Sequence, residues 1–248
     1  MNRTCHPFPP DTTEAPVTAC IIHLDYKEEQ NACLTREERD QGDRFCFEED
    51  RQRHLASHAA LRMILGRELG LAPSAVPIRS RQNGKPFLPD HQLHFNLSHS
   101  RGLALVAFSP DCELGVDVEF IRPLPDLEHL ARRNFAPSEI DWILSHPPPQ
   151  RQNAFFKLWA CKEAWLKGIG TGIARGLDSF SVSFTSSGAI LSVPTNTAEE
   201  QAWSIHPLKI DVPNYAAALA VQTTSPKIEL KTWFPGPSGR SGSGETKR

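Results

Sequence analysis

Three strand-like runs follow one another between Leu93 and Ile121, LHFNLSHS, LALVAFS and LGVDVEFI, with almost no chain between them. Such short connections favour antiparallel neighbours in a small sheet. Pro110-Asp111 marks the turn between the last two. In the third run Asp117 and Glu119 stand two residues apart, so on a strand they share a face, while Val116 and Val118 face the other way toward a core. Alternation of this kind is common in a sheet with one wet face. That is the ordinary reading of the pair alone; the other is a cation site, because two carboxylates on one face repel each other unless a cation joins them.

Helical and strand-like segments flank this sheet. VTACIIHL (17–24) reads as a buried strand, and TREERDQGDRF starts a helix with Thr35 as N-cap and Glu38 three residues on. EEDRQRHLASHAALRMILGRELG (48–70) is a long amphipathic helix with Leu55, Ala59, Met63 or Arg62, and Gly66 facing inward, and Gly70 ends it. Beyond Arg122 come a short helix in PDLEHLARRNF, another in APSEIDWILSH capped by Ser138, and a break at PPP (147–149). A helix over roughly 150–168 follows, then the strand candidates SFSVSF, AILSV, QAWSIHPL, AAALAVQT and IELKTWF. The pattern predicts an α+β fold of two similar halves, 17–113 and 114–234, each a small mainly antiparallel sheet packed with a long helix. Residues 1–16 are expected to be a flexible tail, and the low-complexity segment 235–248 to be disordered.

A net charge of -2 excludes a general polyanion binder, so any phosphate recognition must be local, and no nucleic-acid partner is expected. The six cysteines are scattered without CxxC or zinc-finger spacing, which fits reduced thiols in a cytoplasmic protein. No signal-peptide core and no membrane-spanning run is present, so no membrane partner is expected.

The segment LWACKEAWLKGIG (158–170) has the apolar content of a core helix, with Gly168 as its stop. Yet Glu163 and Lys167 lie i,i+4 on the face of Trp159. An exposed pair of this kind contributes only about 0.3–0.5 kcal/mol. A third carboxylate at Glu163 would complete, with Asp117 and Glu119, a site of hard oxygen donors suited to Mg²⁺. Ser98, His99 and Ser100 in NLSHS, Lys85 in GKP and Arg53 on the long helix could then bind phosphates, with Lys167 beside them. There is no GxxxxGK[ST] and no GxGxxG, so a Walker or Rossmann site is excluded.

GVDVE at 115–119 followed by KLWACKEAWLK at 157–167, with FNLSHS at 95–100 and GKP at 84–86, resembles the 4'-phosphopantetheinyl transferase superfamily. The long single chain is similar to the surfactin-synthetase-activating type, a pseudo-dimer with its active site in the cleft between the halves. The resemblance spans roughly residues 45–185. It implies transfer of the 4'-phosphopantetheine arm of coenzyme A to a serine of an apo acyl, aryl or peptidyl carrier protein, with release of 3',5'-ADP. It further implies that Asp117, Glu119 and Glu163 hold Mg²⁺ on the pyrophosphate and that Lys167 and His99 neutralise phosphate charge. Arg53 and Lys85 would hold the 3'-phosphate, and Ser98 would add a donor. Glu163 would take the serine proton, directly or through a metal-bound water.

One departure is visible: Glu38 and Gln41 stand where related enzymes often place lysines. The acidic carrier implied by the resemblance calls for a basic surface. FIRPLPDLEHLARRNF, with Arg122, Arg132 and Arg133, starts directly after the acidic strand. A monomer is expected. A metal-dependent phosphoester hydrolase on coenzyme A-like nucleotides and a noncatalytic coenzyme A-binding module are the alternatives.

Overall fold

The computed structural model describes residues 14–24, 28–172, 176–185, 188–192 and 202–234. The strands are β1 (Ala15–His23), β2 (Arg79–Ser80), β3 (Pro86–Phe87), β4 (His94–Ser100), β5 (Leu103–Ser109), β6 (Leu114–Phe120), β7 (Ser181–Thr185), β8 (Gly188–Ser192), β9 (Ser204–Leu208), β10 (Tyr215–Val221) and β11 (Pro226–Trp233). The helices are α1 (Arg36–Gly42), α2 (Glu48–Leu69), α3 (Leu127–Asn134), α4 (Pro137–Ser145) and α5 (Pro148–Ile169).

Two sheets dominate, ordered β11-β1-β5-β4 and β6-β10-β9-β8-β7, with a separate β2-β3 pair. Alternation along the strands explains how they stack. Val17, Ala19 and Ile21 of β1 and Leu103, Leu105 and Ala107 of β5 share a core with Val116 and Val118 of β6 and Leu219 and Val221 of β10. The intervening residues face outward onto helices: Cys20, Ile22, Ala104 and Val106 meet Leu61, Ile64 and Leu65 of α2. Ala216, Ala218 and Ala220 of β10 meet Leu158, Trp165 and Leu166 of α5. The molecule is thus layered α2, first sheet, second sheet, α5, the α+β pairing of sheet and long helix expected from the sequence.

Local chemistry accounts for most boundaries. Thr35 caps α1 through a full capping box with Glu38, and Gly70 (φ 67°) ends α2 in the left-handed region. Glu38 also accepts from the buried Arg62 of α2 at 2.7 Å, so this departure from the family pattern pins α1 onto α2. Three expectations need correction. Ser138 is not the cap of α4: Pro137 occupies the first turn, and the Glu139 carboxylate accepts from the Ala136 N–H at 2.8 Å. The proline run does not merely break the chain, since Pro148 opens α5. Gly168 is not the stop of α5, which runs on to Ile169 and is ended by Gly170 at φ 74°.

The last strand also departs from a sequential division into halves. β11 returns to the first sheet and pairs in parallel with β1, Ala15 opposite Pro226 and Ile22 opposite Trp233. Ala15 and Pro16, expected in the tail, belong to β1. Residues 1–13 and the expected disordered segment 235–248 lie outside the described residues. Among the described residues no helix is long and apolar enough to cross a membrane.

Candidate active site

Strand β6 carries the acidic face toward α5, and glycine makes that approach possible. A Cβ on Gly115 would stand 2.2 Å from the Ala164 carbonyl oxygen and from the Gly168 nitrogen. A Cβ on Gly168 would meet the Trp203 ring at 2.5 Å. Only a glycine pair lets β6 lie this close to the helix, and closeness brings Asp117 and Glu119 to the edge of α5 that bears Glu163 and Lys167.

The side chains there are buried. Asp117 is 3% exposed and Glu163 8%. Lys167 Nζ donates to Asp117 Oδ1 at 2.6 Å and to Ser98 Oγ at 2.8 Å. Ser98 Oγ in turn donates to Asp117 Oδ1 at 2.9 Å, and Ser100 Oγ donates to Glu119 Oε2 at 3.1 Å. Asp117 Oδ2 and Glu163 Oε1 are buried and have no hydrogen-bond partner among the described residues. Burial, reinforced by the Asp117 charge, pushes the Glu119 carboxyl up to about 7 and raises that of Glu163 as well. Three acids are therefore gathered with less positive charge than they need.

Among the described residues no group of three or more His, Cys, Asp or Glu side chains is arranged so that it could hold a metal ion. The Lys167 ammonium bonds Asp117 instead. The donor chemistry nevertheless fits a hard divalent cation: all three candidates offer carboxylate oxygens, two of those oxygens are orphaned, and a cation would offset the burial and the Asp117 charge that together raise Glu119 and Glu163.

His99 lies on the α2 side of β4. His54 and His58 of α2 gather beside it, with ring centroids 4.2 Å apart for His54–His58 and 6.4 Å for His54–His99. Burial, then the charges of His58, His54 and Lys167, lowers the His99 imidazole to about 4. His54 falls to about 4 through burial and His58, and its Nε2 is buried without a hydrogen-bond partner among the described residues. The i,i+4 spacing of His54 and His58 was a visible sign that these rings share a face, and it was missed.

Arg53 lines a cleft of about 540 Å³ with Phe47, Glu48, Glu49, Asp50 and Arg101. Its guanidinium is already paired, to Glu49 and to Asp50 Oδ1 at 3.0 Å. Arg101, also missed, adopts φ 50° and stacks over the ring of Phe120, the residue after Glu119. Lys85 is turned inward. Its ammonium donates to Glu113 Oε2 at 2.6 Å and to the Gly168 carbonyl, so it ties the Asn83-Gly84 turn to the end of α5 and has no free charge for the expected phosphate contact. Arg132 bonds Glu128 at 2.6 Å on the exposed face of α3, and Arg122 stacks over Phe156.

Two family profiles match in succession: "4'-phosphopantetheinyl transferase, N-terminal" over residues 26–111 and "4'-phosphopantetheinyl transferase superfamily" over residues 113–220. The 4'-phosphopantetheinyl transferase HetI of Nostoc is 40% identical over 234 residues, 89% of this chain and 94% of that protein. This chain belongs to the 4'-phosphopantetheinyl transferase superfamily. The transferase Sfp of Bacillus subtilis is 32% identical over 158 residues, 63% of this chain and 69% of Sfp. A solved holo-(acyl-carrier-protein) synthase from Bacillus anthracis, in complex with CoA (3',5'-ADP), overlaps 44% of this chain and 93% of its own at 20% identity and a TM-score of 0.37. The boundary between the two matched profiles coincides with the start of β6, the strand that carries the acids.

Proposed function

We propose that this transferase moves the 4'-phosphopantetheine arm of coenzyme A to the serine of an apo carrier protein, releases 3',5'-ADP, and does so with Mg²⁺ held by Asp117, Glu119 and Glu163. The observation that carries the metal assignment is the pair of orphaned buried oxygens on Asp117 and Glu163, beside a Glu119 carboxyl pushed up to about 7. Bound there, the cation would offset the pyrophosphate charge as it grows on the leaving oxygen.

The chain's own groups supply the rest. The serine Oγ forms a bond to the phosphorus nearest the pantetheine, and the bond from that phosphorus to the bridging oxygen of 3',5'-ADP breaks. Glu163, whose affinity for a proton is raised by burial and by Asp117, would accept the serine proton. Lys167 can shift from Asp117 toward the phosphates when the acids are otherwise compensated. The imidazole of His99, held neutral chiefly by burial, gains a proton more readily once a phosphate dianion lies alongside. Ser98, on the opposite face of β4, holds Lys167 and Asp117 through its hydroxyl, and Arg53 lines a separate cleft beside α2. The protein is read as a cytoplasmic monomer whose docking surface for an acidic carrier includes Arg122, Arg132 and Arg133.

Incubation with coenzyme A, Mg²⁺ and a panel of apo-carriers, followed by intact mass spectrometry, tests this. The expected result is a carrier heavier by one phosphopantetheine arm, with an equal amount of 3',5'-ADP. Release of 3',5'-ADP with every carrier unmodified would establish the hydrolase instead.

A further inference from the structure

β4 is one edge strand of the first sheet and β6 one edge strand of the second. An outermost strand leaves a row of backbone donors without ladder partners, a costly arrangement when buried. Here the row is filled by side chains. Val116 N–H donates to Asn96 Oδ1 at 2.9 Å, Val118 N–H to Ser98 Oγ at 3.3 Å, and Phe120 N–H to Ser100 Oγ at 3.1 Å. The sequence separation is 20 at each rung, so the two strands run parallel and in step. Alternate residues of β4 meet alternate amides of β6, which matches the period of two in both strands.

The same hydroxyls also hold the acids. Ser98 accepts from Val118 and donates to Asp117, and Ser100 accepts from Phe120 and donates to Glu119. Backbone register and carboxylate orientation are therefore fixed by common atoms. A slip of one residue would present amides that face β10 instead. A slip of two would leave one rung empty and aim each hydroxyl at the wrong residue.

From this geometry we infer that Asn96 and Ser100 are positioning residues, which with Ser98 lock β6 in register against β4 and so set where Asp117 and Glu119 stand. Neither needs to touch substrate. Asn96 holds the buried end of the strand beside Gly115, and Ser100 holds the open end at Glu119. The inference rests on the metal reading above and adds to it the device that assembles the site across the two sheets.

Ser100→Ala is the main test, because Ser100 is only half-buried and the variant should fold. Mg²⁺ is titrated calorimetrically into wild type and variant, each saturated with coenzyme A and free of carrier, so that no turnover occurs. Transfer to carrier is then measured at saturating coenzyme A. Loss of an outer hydrogen bond to a ligating carboxylate typically costs about 10–100-fold in metal affinity or activity, and that is the expected loss here. The Michaelis constant for coenzyme A should hold, the Phe120 amide should exchange faster with deuterium while Val116 does not, and Ser100→Thr should restore binding. Asn96→Ala should lower turnover with faster exchange at Val116, and Asn96→Asp, which keeps the acceptor, should recover it. Wild type and Ser100→Ala binding Mg²⁺ equally and turning over alike would sink the inference alone, whatever the change in melting temperature. Wild-type protein that takes up no Mg²⁺ would sink the metal reading, and the inference with it.

Discussion

Gly115 of β6 and Gly168 of α5 pack backbone to backbone, so that a methyl group on Gly115 would lie 2.2 Å from the Gly168 nitrogen. The neighbouring atoms belong to helix backbone and cannot rotate away. Gly115→Ala must push α5 off the strand, an overpacking error that costs about 1–3 kcal/mol or more. A clear drop in the urea midpoint and loss of transfer are expected together. An unchanged midpoint would exclude this contact as a packing constraint.

Asp117 is buried and bonded to Lys167 and Ser98, so it is not the surface carboxylate that the strand pattern suggested. Asp117→Asn is therefore a better probe than alanine, since it keeps the shape and one acceptor. Removal of a ligand charge should cost several kcal/mol in the transition state, roughly 100-fold or more in rate. Steady-state turnover within a few-fold of wild type at saturating Mg²⁺ would contradict the assignment.

Glu163→Gln and Lys167→Ala separate two roles. The first removes a ligand charge and the proton acceptor together, and the second removes only a cation near the pyrophosphate. Single-turnover rates should fall further for Glu163→Gln, by about ten-fold or more relative to Lys167→Ala. The reverse order would take the proton-accepting role away from Glu163.

The histidine cluster makes an acid-sensitivity prediction. His54 and His99 sit near 4 in the folded protein against an ordinary 6.5, so between these values the unfolded chain binds protons that the folded one does not. Stability is fully present above 6.5 and declines as pH falls through that window, by up to roughly 1.4 kcal/mol per pH unit for each group. Glu38 is pushed up by burial, but contacts from His58 and Arg62 outweigh this and hold it at about 2, so its contribution disappears later, between 4.5 and about 2. His54→Gln should flatten the upper limb and leave the lower one. Denaturant midpoints measured across both windows decide it, and an unaltered upper slope in the variant would exclude His54 as a contributor.

Carrier docking is tested at α3. Arg132→Glu with Arg133→Glu should raise the Michaelis constant for the carrier and leave that for coenzyme A alone. The effect should fade with salt, since exposed charges are screened over about 8 Å at physiological ionic strength. Carrier kinetics that do not respond at low salt would leave α3 an ordinary solvated helix.

What was legible in the sequence was local. The capping box at Thr35, the left-handed Gly70 and the alternation that places Asp117 and Glu119 on one face depend on residues a few positions apart. What was not legible depended on partners distant in sequence. Gly168 looked like a helix stop because its reasons, Trp203 and Gly115, come from other elements. Lys85 looked like a phosphate ligand on a glycine turn, but its partners are Glu113 and the Gly168 carbonyl. Asn96 was passed over because a lone asparagine in a strand says nothing until the amide it serves is known.

The parallel pairing of β11 with β1 has a consequence for how the chain is made. β1 emerges from the ribosome early, yet one of its edges gains its partner only when residues 226–233 have been synthesised. Until then an apolar strand stays open to wrong pairings, and long-range pairing of this kind forms slowly. A nascent chain stalled before Pro226 should therefore be protease-sensitive and prone to aggregate, even though every proposed catalytic residue has already been translated.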